Sequence, residues 1–154
     1  MDHPSQVNRH QAAHAKLILE SYRQLTGREL IPSGPDPAQR LFVAPIFVAS
    51  HSSAEDPIFT YGNRTALDLF EMTWEEFIST PSRFTAEAPL RSERQRLLDQ
   101  VAERGFIDDY SGIRVSKTGQ RFEIQRATVW NLISATGKLV GQAATFKEWT
   151  PLEP

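Results

Sequence analysis

Apolar positions along the chain alternate between helical spacing and a two-residue period, and each switch marks an element boundary. From Pro4 to Thr26, Leu17, Ile18, Tyr22 and Leu25 fall on one face, with Lys16, Glu20, Arg23 and Gln24 mainly opposite. This predicts an amphipathic helix stopped by Gly27. The Pro- and Gly-rich run Ile31 to Pro35 predicts a linker. Asp36-Pro37 then predicts a short helix start, with Asp36 as N-cap, and Pro45 ends that helix near Ala44. Strand formers at Ile46 to Ser50 and at Ile58 to Tyr61 predict a hairpin across the polar loop Ser52 to Pro57. Asn63 caps a helix from Arg64 to Phe70, and Thr73-Trp74-Glu75-Glu76 has the spacing of a capping box. A longer helix, Leu90 to Arg104, presents Leu97, Leu98 and Val101 and stops at Gly105. Three β segments follow, Phe106 to Ser116, Arg121 to Leu132 and Leu139 to Trp149, joined by turns short enough for antiparallel neighbours.

The order predicts an α+β fold: a five-stranded antiparallel sheet with helices on one face and an extra N-terminal amphipathic helix. Residues 1–35 are the expected helix and linker, and 36–150 the expected main domain, packed together as one compact unit. A length of 154 residues with 40% hydrophobic and 23% charged residues suits one core. The chain has no cysteine, which excludes a disulfide framework, thiolate metal sites, a cysteine nucleophile and any thiol-linked chromophore. With 17 Lys+Arg against 19 Asp+Glu, a net charge of −2 supplies no field for nucleic acid or an anionic membrane. The expected setting is soluble and cytoplasmic, since the longest apolar run, Leu41 to Ala49, is broken by Pro45.

Several stretches together carry a family resemblance: Ser21 to Leu30, Tyr61-Gly62-Asn63 with Ala66 to Met72, and Gly105 to Gly112. Lys117-Thr118-Gly119, Val129 to Leu132 and Gly141 to Ala144 add to it. Combined over about residues 16 to 148, the chain resembles the MEKHLA domain family in a short stand-alone form. That family is similar to PAS domains and in plants forms the C-terminal part of homeodomain–leucine zipper transcription factors. The resemblance implies a PAS-like sensory or interaction module that binds a small noncovalent ligand or dimerises, and that passes its output to a separate signalling partner. The naming hexapeptide is not present literally, and neither a homeodomain nor a leucine zipper is found, so direct DNA binding is not implied.

In such a fold the ligand site lies between the sheet and the helices. Within Arg121 to Leu132, the phase containing Phe122, Ile124, Arg126, Thr128, Trp130 and Leu132 is expected to face inward, unless a bulge shifts it. Arg126 would then need an anionic ligand or a carboxylate; otherwise it sits on the rim or pairs with Asp108 or Asp109. In the last strand Val140, Gln142, Ala144 and Phe146 share a face, and small neighbours leave room for a planar ligand beside the Gln142 amide. Flavin-binding PAS relatives carry a glutamine in that strand; the alternative is a glutamine bonded within the sheet. Tyr110, Arg126, Trp130, Gln142, Phe122 and Phe146 are the ligand candidates. Leu17, Ile18, Tyr22 and Leu25 are the partner-helix candidates, for the outer sheet face or the same helix of a second subunit.

His10 and His14 are i and i+4 on the N-terminal helix but lack a matching carboxylate, which points to a solvated face rather than a metal site. No histidine lies between Leu90 and Arg104, where haem-binding PAS relatives supply their ligand, so haem is disfavoured. A noncovalent flavin or another planar molecule remains. The competing expectation is a small α+β barrel enzyme of isomerase or hydratase type, with Asp109 or Tyr110 as acid or base in an apolar pocket.

Overall fold

The computed structural model describes residues 2–6 and 8–153. Among these residues six strands form one antiparallel sheet: β1 (Phe47–Ser52), β2 (Phe59–Gly62), β3 (Phe106–Val115), β4 (Arg121–Ile133), β5 (Leu139–Phe146) and β6 (Glu148–Pro151). Their order is β2-β1-β5-β4-β3, and β6 pairs with the first half of β4. The single last strand of the sequence reading is thus split at Lys147. β5 and β6 nevertheless keep one register against β4, with Thr128 opposite Thr145 and Gln125 opposite Glu148.

Among the described residues five helices surround the sheet: α1 (Ala12–Thr26), α2 (Pro37–Val43), α3 (Arg64–Phe70), α4 (Trp74–Phe77) and α5 (Arg91–Arg104), with a 3-10 turn at Ser82–Thr85. The helix expected from Pro4 begins only at Ala12. Arg9, His10 and Gln11 take left-handed backbone angles, which breaks any continuous helix there. Asp36 is also left-handed and its side chain makes no cap, whereas Asn63 and the Thr73/Glu76 box cap as the spacing predicts. Asn63 is fully buried, and its side chain joins three elements. It accepts from the N–H groups of Val48 and Ala66 at 3.1 Å each and donates to the carbonyls of Ile46 at 2.8 Å and Leu41 at 3.2 Å.

The sheet is covered on both faces. Helix α1 lies on the outer one, where Ile18 and Tyr22 are buried, Leu17 and Leu25 pack at the margin, and Tyr22 meets Trp130 edge-on at 4.9 Å. Each such large apolar side chain contributes about 1.5–3 kcal/mol on burial. Ser21 Oγ accepts from the Ile133 N–H at 3.0 Å, and His14 Nε2 shares a 2.9 Å hydrogen bond with the Ser50 hydroxyl. Burial lowers the His14 imidazole to about 4, so it is neutral there. The solvated face expected for His10 and His14 is therefore corrected for His14, which points at the sheet. Among the described residues no group of His, Cys, Asp or Glu is placed to hold a metal ion. This interface also leaves two buried donors without partners among the described residues, Tyr61 Oη and Trp130 Nε1.

The inward phase expected for β4 holds only for its first half. Phe122 and Ile124 face the helices, but Arg126 adopts a φ of 52° and is exposed, and the pairing with β3 is irregular around it. Past this bulge the sides exchange: Ala127 and Val129 face inward, while Trp130 lies under α1. Arg126 and Trp130 are therefore not on the ligand face. Arg126 also forms no pair with the two neighbouring acids, since Asp108 binds Arg28 and Asp109 binds Arg96, each at 2.8 Å.

Candidate functional site

Between the inner sheet face and the helices lies a cavity of about 220 Å³. Small residues create it: Ala49 on β1, Ala127 on β4 and Ala144 on β5 stand where larger side chains would meet the helices. Aromatic rings close it on one side, with Phe47 stacked on Phe146 at 4.3 Å and Phe70 crossing Phe47 at 5.4 Å. Leu97 of α5 and the 3-10 turn form the opposite wall. Helix α5 has a thinner apolar stripe than expected, because Leu98 points to solvent while Leu97 lines the cavity and Val101 is buried.

A few polar groups interrupt this lining. The Gln142 amide donates to Asn131 Oδ1 at 3.3 Å across the β4–β5 pair, which leaves its own carbonyl oxygen as an acceptor. His51 donates from Nδ1 to the Ser52 carbonyl at 2.8 Å, so in the neutral ring Nε2 is the free acceptor. The imidazole is held below its usual value chiefly by burial. The bond to Ser52 opposes this, and the Arg114 charge adds to it. On β3, Tyr110 and Arg114 complete the polar set, with the guanidinium 5.9 Å from the Tyr110 ring centroid.

Of the ligand candidates read from sequence, the structure gathers Tyr110, Gln142 and Phe146 on the cavity wall. Phe122 is buried on the same sheet face but packs on Phe70, 5.8 Å between rings, outside the lining. Trp130 and Arg126 lie elsewhere, as described above. His51, Arg114, Ala49 and Ala127 were missed. Their signal was available: the alternation Tyr110, Gly112, Arg114 in β3 matches that of Ala49 and His51 in β1. The four α1 residues, expected on the outer sheet face or against the same helix of a second subunit, pack on the sheet of their own chain.

The MEKHLA domain profile matches residues 12–151. The chain belongs to the MEKHLA domain family. This MEKHLA domain is 24% identical over 105 residues to the homeobox-leucine zipper protein ATHB-14 of Arabidopsis thaliana, a match covering 68% of the chain and only 12% of that protein. Its fold is that of PAS and light-oxygen-voltage domains. The light-state dimer of the fungal blue-light photoreceptor Vivid superposes with a TM-score of 0.59 at 16% identity, covering 88% of this chain and 93% of that one. The PAS domain of a Colwellia psychrerythraea protein gives 0.56 at 12% identity, covering 70% and 89%. A light-oxygen-voltage domain studied with a flavin analogue also gives 0.56, at 17% identity, covering 75% and 84%. No helix among the described residues is long and apolar enough to cross a membrane.

Proposed function

We propose that this MEKHLA domain is a sensory module whose signal is a small molecule held noncovalently between the sheet and the helices. The observation that carries the reading is the apolar cavity with a few convergent polar groups, the usual form of a ligand site. Binding there would be reported to a separate partner through the domain surface.

A flavin, suggested by the light-oxygen-voltage neighbours, does not fit. The cavity of about 220 Å³ is below the roughly 300–1,000 Å³ that enclose drug-sized ligands. The chain also has no cysteine to form an adduct. The enzyme reading draws less support. Of its acid–base candidates, only Tyr110 reaches the cavity, while Asp109 is engaged by Arg96 at the surface.

Native mass spectrometry of the protein purified from its own host, followed by denaturing release, tests this reading. A stoichiometric small molecule is expected, and Ala144→Leu, which fills the cavity, should abolish its retention. A ligand-free protein, or a ligand that Ala144→Leu still retains, would overturn it; a ligand-free dimer would point to interaction alone.

A further inference from the structure

The charged groups lining the cavity are cationic: Arg83 and Arg114 are present, and no aspartate or glutamate is. Arg83 is turned outward, 3.0 Å from the Asp56 carboxylate, with its guanidinium over Phe84. Arg114 differs. Among the described residues it has no carboxylate partner, and its hydrogen bond is a 3.3 Å contact from Nη1 to the adjacent Ile113 carbonyl. A half-buried guanidinium without a counterion is matched best by a planar anion, to which it donates in a two-pronged geometry.

A second group converges on the same place. In β3, Tyr110, Gly112 and Arg114 alternate onto one side, opposite Ala127, Ile124 and Phe122 of β4. A Cβ at Gly112 would lie 3.2 Å from Tyr110 Oη and 3.4 Å from Arg114 Nη1. The phenol and the guanidinium therefore crowd the same glycine from two sides, a close approach that a side chain at Gly112 would obstruct. Tyr110 Oη makes no hydrogen bond among the described residues. Two free donors thus meet at the β3 wall of an apolar cavity.

We propose that the ligand is a small apolar carboxylate, with its carboxylate held by Arg114 and Tyr110 and its apolar body against Phe47 and Phe146. The inference rests on the cavity being a ligand site, as proposed above. Size narrows the class further. At ~30 Å³ per water, about 220 Å³ equals roughly seven waters, enough for a single ring or a short chain and too little for a polycyclic body. His51 is held neutral beside Arg114, so it adds an acceptor to the cavity rather than a further cation.

A matched pair of probes tests this: sodium benzoate and benzyl alcohol, similar in shape and different in charge, titrated into the full chain and followed by amide NMR. Shifts from both should centre on Ala127, Val129 and Ala144, with benzoate binding about tenfold tighter or more, the scale of one charge-assisted hydrogen bond. Arg114→Gln should erase that preference while leaving benzyl alcohol binding as it was. Tyr110→Phe should reduce the preference with the ring and Arg114 still in place. Equal affinities in the unaltered protein would overturn the carboxylate proposal and leave the ligand cavity standing. Absence of cavity shifts with either probe would overturn both. If Arg114→Gln does not fold, Tyr110→Phe decides, and an undiminished preference in it overturns the proposal.

Discussion

Asn63 gives a direct test of how the fold is pinned together. Its carboxamide oxygen serves the Val48 and Ala66 N–H groups, and its NH₂ serves the Ile46 and Leu41 carbonyls, all away from water. Asn63→Ala removes the N-cap of α3, worth about 1 kcal/mol, and also strands buried groups of β1 and of the α2–β1 connection at about 1–3 kcal/mol each. Because some carbonyls retain a second partner, the expected total is about 3–5 kcal/mol, a large part of the roughly 5–15 kcal/mol available to a domain. Urea unfolding followed by tryptophan fluorescence should show the midpoint fall with the slope unchanged, and Tm should drop by about 10 °C. Asn63→Asp keeps both acceptor roles but sets a carboxylate against two carbonyls. Burial raises such a carboxyl above its unfolded value, so the deficit of Asn63→Asp should shrink as pH falls and the protonated acid donates to Ile46. A loss below about 1 kcal/mol for Asn63→Ala, or an Asn63→Asp variant as stable as the parent at pH 7, would refute the bridging role.

Other perturbations probe the two sheet faces. Since the folded His14 value is depressed from 6.5 to about 4, its stability contribution is complete above pH 6.5 and is lost as pH falls towards 4, by about 3 kcal/mol in all. Urea midpoints at pH 7 and 4.5 should therefore fall less in His14→Gln than in the parent, with the lowered His51 supplying the remainder; equal falls would contradict this. Arg126→Gly relieves a left-handed residue on the surface and should raise Tm by about 2–4 °C in calorimetry; a decrease would show that the arginine side chain holds the bulge. Gly62→Ala places a Cβ 2.7 Å from the Phe77 ring, which is fully buried and stacked on Phe59 at 4.1 Å. It should cost about 1–3 kcal/mol in denaturant titration, and a neutral result would mean that α4 can shift away freely.

The β-rich C-terminal half and the caps were legible in the sequence because local patterns determine them. The Asn63 and Thr73 caps need only residues three apart, and Gly105 ends α5 at its expected place. Sidedness in β4 was not legible. Strict alternation carries Arg126 inward with Phe122 and Trp130, and a single left-handed residue inverts everything beyond it. No local signal forces an arginine into that conformation, which coincides with the irregular pairing of β4 with β3. The cavity was half legible for a related reason. Gln142 and Phe146 follow from uninterrupted alternation in β5; alternation in β3 puts Arg114 on the side of Tyr110, but that this side is the cavity wall depends on the three-dimensional packing of β3 against the 3-10 turn and α5.

The inversion at Arg126 also joins two compartments that a regular strand would serve differently. Val129 lines the cavity and the next residue, Trp130, carries α1 on the far side, its indole N–H unpaired beneath Tyr22. One peptide unit thus separates the cavity wall from the helix seat, and Asn131 extends the link by holding Gln142 on the cavity side. A molecule that pushes β4 outward at Ala127 or Val129 would press the same backbone against α1. The strand is a partition one backbone thick, so a displacement on the cavity side is felt at the seat of α1 without passing through the helices of the inner face.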